Sequence, residues 1–143
     1  MTTSIEAFDD TMSRFKAIWD TTGLPVIFQD VPLDAAAQAN IDTGTSAWAR
    51  ITYRPNLRDQ TSLASSVAAK YTSQGIVIVE VYAPTGDGGT LGRTLSQLVE
   101  TCFEGVSTNN GVWYRNTHTE YIGTEGFWTH WNILSDWSYD EVR

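Results

Sequence analysis

From Ser4 to Trp19 the apolar positions recur at steps of three and four, so Ile5, Phe8, Met12, Phe15 and Trp19 share one helical face. Ser4 supplies an N-cap, Asp9 and Asp10 lie on the polar side, and Thr22-Gly23-Leu24-Pro25 ends the helix. Val26 to Val31 reads as a short strand closed by Pro32. Asp34 to Gly44, rich in Ala, Asn and Asp, reads as a loop with one helical turn. Ala47 to Tyr53 alternates Trp48, Arg50 and Thr52 with Ala49, Ile51 and Tyr53, a strand pattern that Arg54-Pro55-Asn56 is expected to end.

Leu57 to Gln74 breaks the pattern. Small and polar residues dominate it, with Leu63, Val67 and Tyr71 as its bulky apolar residues after Leu57. That composition predicts an extended hairpin arm or a loop instead of a core element, and loops of this length usually carry function. Gly75 to Ala83 follows as a strand with Val77, Val79 and Val81 on one face and Ile76, Ile78, Glu80 and Tyr82 on the other. Two largely apolar faces place it centrally in a sheet. Glu80 interrupts the second face, and an isolated buried carboxylate is costly, so a partner such as an arginine is expected.

Thr90 to Phe103 predicts a second helix, with Leu91, Leu95, Leu98, Val99 and Cys102 in one stripe, Thr90 or Gly89 as cap and Gly105 beyond its end. Val112 to Tyr121 and Phe127 to Tyr139 predict a hairpin turning at Gly123-Thr124-Glu125-Gly126. The expected architecture is a single α+β domain over 1–143, with a mixed, mainly antiparallel sheet of about five strands and two helices on one face.

Composition narrows the function. The 143 residues suit one domain, and the lone Cys102 allows no internal disulfide. No apolar run is long enough to cross a bilayer and no signal pattern opens the chain, which predicts a soluble, unexported domain. Nine basic against 17 acidic residues leave a net charge of −8. The two lysines, Lys16 and Lys70, and the scattered arginines form no nucleic-acid footprint. An acidic surface repels DNA, or simply aids solubility. Six Trp, six Tyr and five Phe exceed what a core of this size usually needs, and Trp and Tyr also anchor protein interfaces.

Candidate chemistry is sparse. The loop Thr85-Gly86-Asp87-Gly88-Gly89-Thr90 follows a strand and precedes a helix, as phosphate-binding loops do. It lacks the Walker lysine, Leu91 stands where a dinucleotide fingerprint needs its third glycine, and Asp87 would repel a phosphate. His118 and His130 fall in the two strands of one hairpin, and Asp136 or Glu120 could complete a metal set, but the spacing matches no ligand signature. Cys102 lies on an apolar stripe, where a thiol acts as a small hydrophobe. No catalytic residue, cofactor or metal site is assigned.

Ala49-Arg50-Ile51-Thr52-Tyr53-Arg54-Pro55, the inserted segment, then Gly75-Ile76-Val77-Ile78-Val79-Glu80-Val81-Tyr82-Ala83-Pro84 with its glycines and Leu-rich helix, and a closing hairpin, together resemble the tail terminator (tail completion) proteins of long-tailed bacteriophages. The resemblance covers nearly the whole chain. It implies a homo-oligomeric ring, a hexamer, that caps the head-proximal end of the tail tube and ends its growth. It further implies a virion location, contacts with the tail tube protein and with head-completion or connector (stopper) proteins, DNA passing through the hole without specific binding, no membrane and no enzyme activity.

On that reading the 57–74 segment is the candidate arm, with Leu63, Val67, Lys70 and Tyr71 as contact candidates. Arg50, Arg54 and Arg58 are candidates for ion pairs between subunits, with Glu80 among their partners. Trp113 and Trp128 are interface candidates in a C-terminal region that also holds Trp131 and Trp137. The alternatives are another head–tail joining or minor tail ring protein, and a small ligand-binding or enzymatic domain using the Gly86–Thr90 loop.

Overall fold

The computed structural model describes residues 2–32, 35–43, 46–60, 69–86 and 89–142. Helix α1 (Ser4–Trp19) leads, through a 3-10 turn (Asp20–Thr22), to the short strand β1 (Val26–Ile27). Helix α2 (Ala35–Thr43), β2 (Trp48–Gln60), β3 (Lys70–Pro84), α3 (Thr90–Phe103), β4 (Trp113–Glu125) and β5 (Trp128–Val142) follow. The five strands form one sheet in the order β1-β2-β3-β5-β4. Only β1 to β2 is parallel; the remaining pairs are antiparallel. This is an α+β fold with a mixed, mainly antiparallel sheet.

Alternation splits the sheet into two faces. Ala49, Ile51, Val77, Val79, Val81, Ile133 and Trp137 are buried on the face that α1 and α3 cover. Phe15, Trp19, Leu95, Val99, Cys102 and Phe103 meet them from the helices. The second face carries the other register: Trp48, Tyr82 and His130 in one row, then Arg50, Glu80 and Asn132, then Thr52, Ile78 and Leu134.

Both long helices keep the expected bounds, while their details shift. The N-cap of α1 is Thr3, not Ser4: its hydroxyl accepts from Glu6 N, and Glu6 accepts from Thr3 N at 2.8 Å, a capping box. The buried face centres on Ala7, Thr11, Phe15 and Trp19, and Ile5 is 72 % exposed. On α3 the stripe runs through Gly92, Leu95, Ser96, Val99, Cys102 and Phe103, with Leu91 outside it. Gly92 allows the close approach, because its bare Cα rests against the indole nitrogen of Trp131.

Three expectations need correction. Ala35–Thr43 is a nine-residue helix, not a loop with one turn, and it meets the second sheet face where Trp128 Nε1 donates to Ile41 O at 3.1 Å. The strand beginning at Trp48 continues through Pro55 to Gln60, with a register shift between Pro55 and Leu57. Proline is tolerated there because β1 pairs with the outward side of β2 only at Ala49 and Arg50: further along, Tyr53 N donates to the Gln29 side chain at 2.9 Å, and Pro55 has no N–H. The closing hairpin is also tighter than expected, with β4 reaching Glu125 and only Gly126 and Phe127 between the strands. Gly126 has φ 58°, the left-handed geometry such a turn requires.

Candidate functional site

Of the expected arm, Leu57 to Gln60 pair with Gln74 to Tyr71, and Lys70 to Gln74 pair in turn with Val142 to Ser138. Leu63 and Val67 lie outside the described residues. The paired part is a three-stranded ribbon held by side chains across the strands. Arg58 lies 4.4 Å from the centroid of the Tyr71 ring and 3.5 Å from Glu141. Lys70 sits 3.1 Å from Asp140, which accepts from Thr72 Oγ1 at 2.6 Å. That hydroxyl, with Lys70 behind it, holds the Asp140 carboxyl below its ordinary value.

Arg50 and Glu80 are directly opposed on β2 and β3 and form an ion pair within the chain. Glu80 also accepts from Tyr82 Oη at 3.1 Å. The carboxylate that breaks the apolar pattern of β3 is therefore satisfied by the arginine one strand away. Burial first, then Glu80, pushes the Tyr82 phenol up to about 12. Arg54, two rows further along the same face of β2, is exposed.

The tryptophans divide unevenly. Trp19, Trp48, Trp128, Trp131 and Trp137 are buried inside the chain, and Trp113 is 41 % exposed. Trp48 stacks on Tyr82 at 4.1 Å, Tyr82 stacks on His130 at 4.2 Å, and Trp128 meets Trp48 edge-on. Trp128 thus belongs to an internal aromatic row. Most of the aromatic excess fills the chain's own interior, and Trp113 alone among the tryptophans presents a large surface.

The catalytic and metal candidates stay apart. His118 lies on β4 beside Glu120 at 3.7 Å, whereas His130 is locked in the aromatic row. No group of three His, Cys, Asp or Glu side chains gathers among the described residues. Cys102 is buried and its thiol is pushed up to about 11 by that burial, far from the thiolate a nucleophile needs.

One cleft does form at the glycine loop, although Asp87 and Gly88 lie outside the described residues. It measures about 450 Å³ and lies between the start of α3 and the β4–β5 hairpin. Thr85, Gly89, Arg93, Tyr121, Thr129 and Trp131 are among its walls. Arg93, exposed, lies 5.2 Å from the centroid of the Trp131 ring and has no carboxylate partner among the described residues. Beside the cleft, Thr85 N donates to Phe127 O, and Tyr121, Ile122 and Phe127 are 57 %, 51 % and 57 % exposed. The periodicity of α3 gives no sign of this cleft, because Arg93 and Tyr121 belong to different elements and each reads alone as a surface residue.

No protein-family profile matches the chain, and no curated protein sequence does. A solved structure whose name states no function superposes with a TM-score of 0.67 at 15 % identity, over 99 % of this chain and 97 % of the other. At that identity the likeness shows a shared fold.

Proposed function

We propose that this chain is a structural assembly subunit of the phage tail-terminator type, forming a ring that caps the head-proximal end of a tail tube and docks the head-completion proteins. The observation that carries the reading is the placement of exposed apolar side chains. Tyr121, Ile122 and Phe127 gather at one hairpin end of a subunit whose core is already closed, the pattern of a surface that awaits a protein partner. The motifs of β2 and β3 support it through their resemblance to that family, and the α+β architecture is the one the resemblance implies.

Charge supports it too. A net −8 per subunit, repeated round a ring, makes an acidic passage that DNA crosses without adhering. Imaging tail tubes assembled without the protein, before and after adding it, tests the reading. Rings at one end only, on tubes that stop growing, establish termination. Tubes that lengthen uncapped reject it, and free rings in that sample leave a head–tail joining role.

A further inference from the structure

We infer that the cleft between α3 and the β4–β5 hairpin receives the Asp30–Val31 turn of a second copy of this chain, in a head-to-tail contact. The inference rests on the ring reading and gives it a specific interface.

The cleft has an apolar and hydroxyl-rich lining and one cation, Arg93, whose guanidinium has no carboxylate partner among the described residues. Its occupant should therefore bring an apolar side chain and an unpaired carboxylate together. Among its described residues the chain itself supplies one such element. Leu91, Tyr121, Ile122 and Phe127 belong to the elements that bound the cleft, which leaves Ile5, Val31, Leu57 and Trp113 as the other large exposed apolar residues among those described. Glu6, beside Ile5, is engaged in the α1 capping box. Leu57 lies between Asn56 and Arg58, and Trp113 between Val112 and Tyr114.

Val31 is 56 % exposed, and the adjacent Asp30 is exposed without a charged partner among the described residues. The two sit on a tight turn in which Val31 N donates to Phe28 O at 3.2 Å and Asp30 has φ 60°. Aspartate tolerates that left-handed geometry better than most residues. The turn is thus a fixed knob, one acid beside one aliphatic side chain.

Placement completes the argument. The knob follows β1 at one edge of the sheet, and the cleft lies at β4, the opposite edge. Different patches on opposite sides of one subunit make a heterologous contact, and such contacts generate rings when the rotation closes. A pairing of Asp30 with Arg93 also fixes which edge meets which, because acid-to-acid juxtapositions are penalised in a chain of net −8.

Charge exchange tests the contact on the full-length chain. Sedimentation of the wild type over a range of concentrations should show self-association. Asp30→Arg alone and Arg93→Glu alone should each weaken it on the order of a hundredfold. An equimolar mixture of the two variants should restore it, because every knob then meets a cleft of opposite charge. Restoration also shows that both variants are folded. A wild type that stays monomeric, variants that associate like the wild type, or a mixture that does not recover each overturns the inference. The same samples on tail tubes separate the two proposals: wild-type rings with equally ring-forming variants reject this contact alone, and no wild-type rings reject the ring.

Discussion

The indole of Trp137 occupies the space that a side chain on Gly75 would need, and its ring stacks on Tyr53 at a centroid distance of 4.5 Å and an interplanar angle of 6°. A Cβ at Gly75 would collide with both that indole and the Arg54 carbonyl. The glycine thus lets an aromatic from β5 cross β3 and close the core beneath α1.

Gly75→Ala should therefore cost about 1–3 kcal/mol or more, the penalty of an overpacked core, although alanine suits a strand better than glycine does. Chemical denaturation monitored by tryptophan fluorescence checks it. An unchanged midpoint would mean that Trp137 can leave the stack freely.

Gly92→Ala sets two effects against each other. In an exposed helix interior the change gains about 1 kcal/mol of propensity. Here the added methyl would drive into the indole nitrogen of Trp131, which is buried along with most of its ring. Net destabilisation is expected, and a raised melting temperature would contradict the contact.

Thr11 and Tyr114 share a buried hydroxyl–hydroxyl bond of 2.8 Å between α1 and β4, and Thr11 also donates to Ala7 O at 2.9 Å. Tyr114→Phe removes one partner and leaves Thr11 its other bond, so it should cost about 1 kcal/mol. Thr11→Ala strands the phenol in the core and opens a small void, and it should cost more, about 2–3 kcal/mol. Equal effects in denaturant unfolding would show that the phenol finds another partner.

Alkaline pH should unfold the protein in a defined window. Burial, as the largest cause, pushes the phenols of Tyr82 and Tyr114 up to about 12, and it raises Tyr53 as well. A raised value in the folded state means that stability is complete below the ordinary value of about 10 and is lost as pH rises towards 12. Cys102 adds a smaller loss that begins near its ordinary 9 and ends at about 11. Absorbance titration of phenolate should show part of the tyrosine signal ionising late, together with the loss of structure. Tyr114→Phe should flatten the decline.

The parts of the fold that were legible in the sequence are those with a strong period and a deep core. Helices α1 and α3 have clean apolar stripes, and β3 is rich in β-branched residues on both faces. Helix α2 was missed because Ile41 is the only large apolar residue between Ala35 and Thr43, too few to set a period. The far half of β2 was expected as an arm or loop separate from the strand because Pro55 reads as a stop, a rule that fails where β2 runs past the end of β1 and has no outer neighbour. The partner of Glu80 could be inferred, since a carboxylate in an apolar strand demands a cation. The burial of Trp128 could not, because core and interface ask for the same residue type. Nor could Arg93 and Asp30 be singled out, because their meaning comes from standing at opposite edges of a sheet whose order the sequence does not spell out.

The blunted flank of β2 bears on how large the proposed assembly could grow. At Tyr53 an amide side chain has taken the outward backbone donor, and at Pro55 there is none to take. A foreign strand laid along this flank would find those rungs missing, so open-ended sheet extension into fibres is discouraged there. In the proposed ring, contacts between copies on this side would then run through side chains, whose shape and charge fix one angle of approach, and a fixed angle is what allows a chain of copies to close on a definite number.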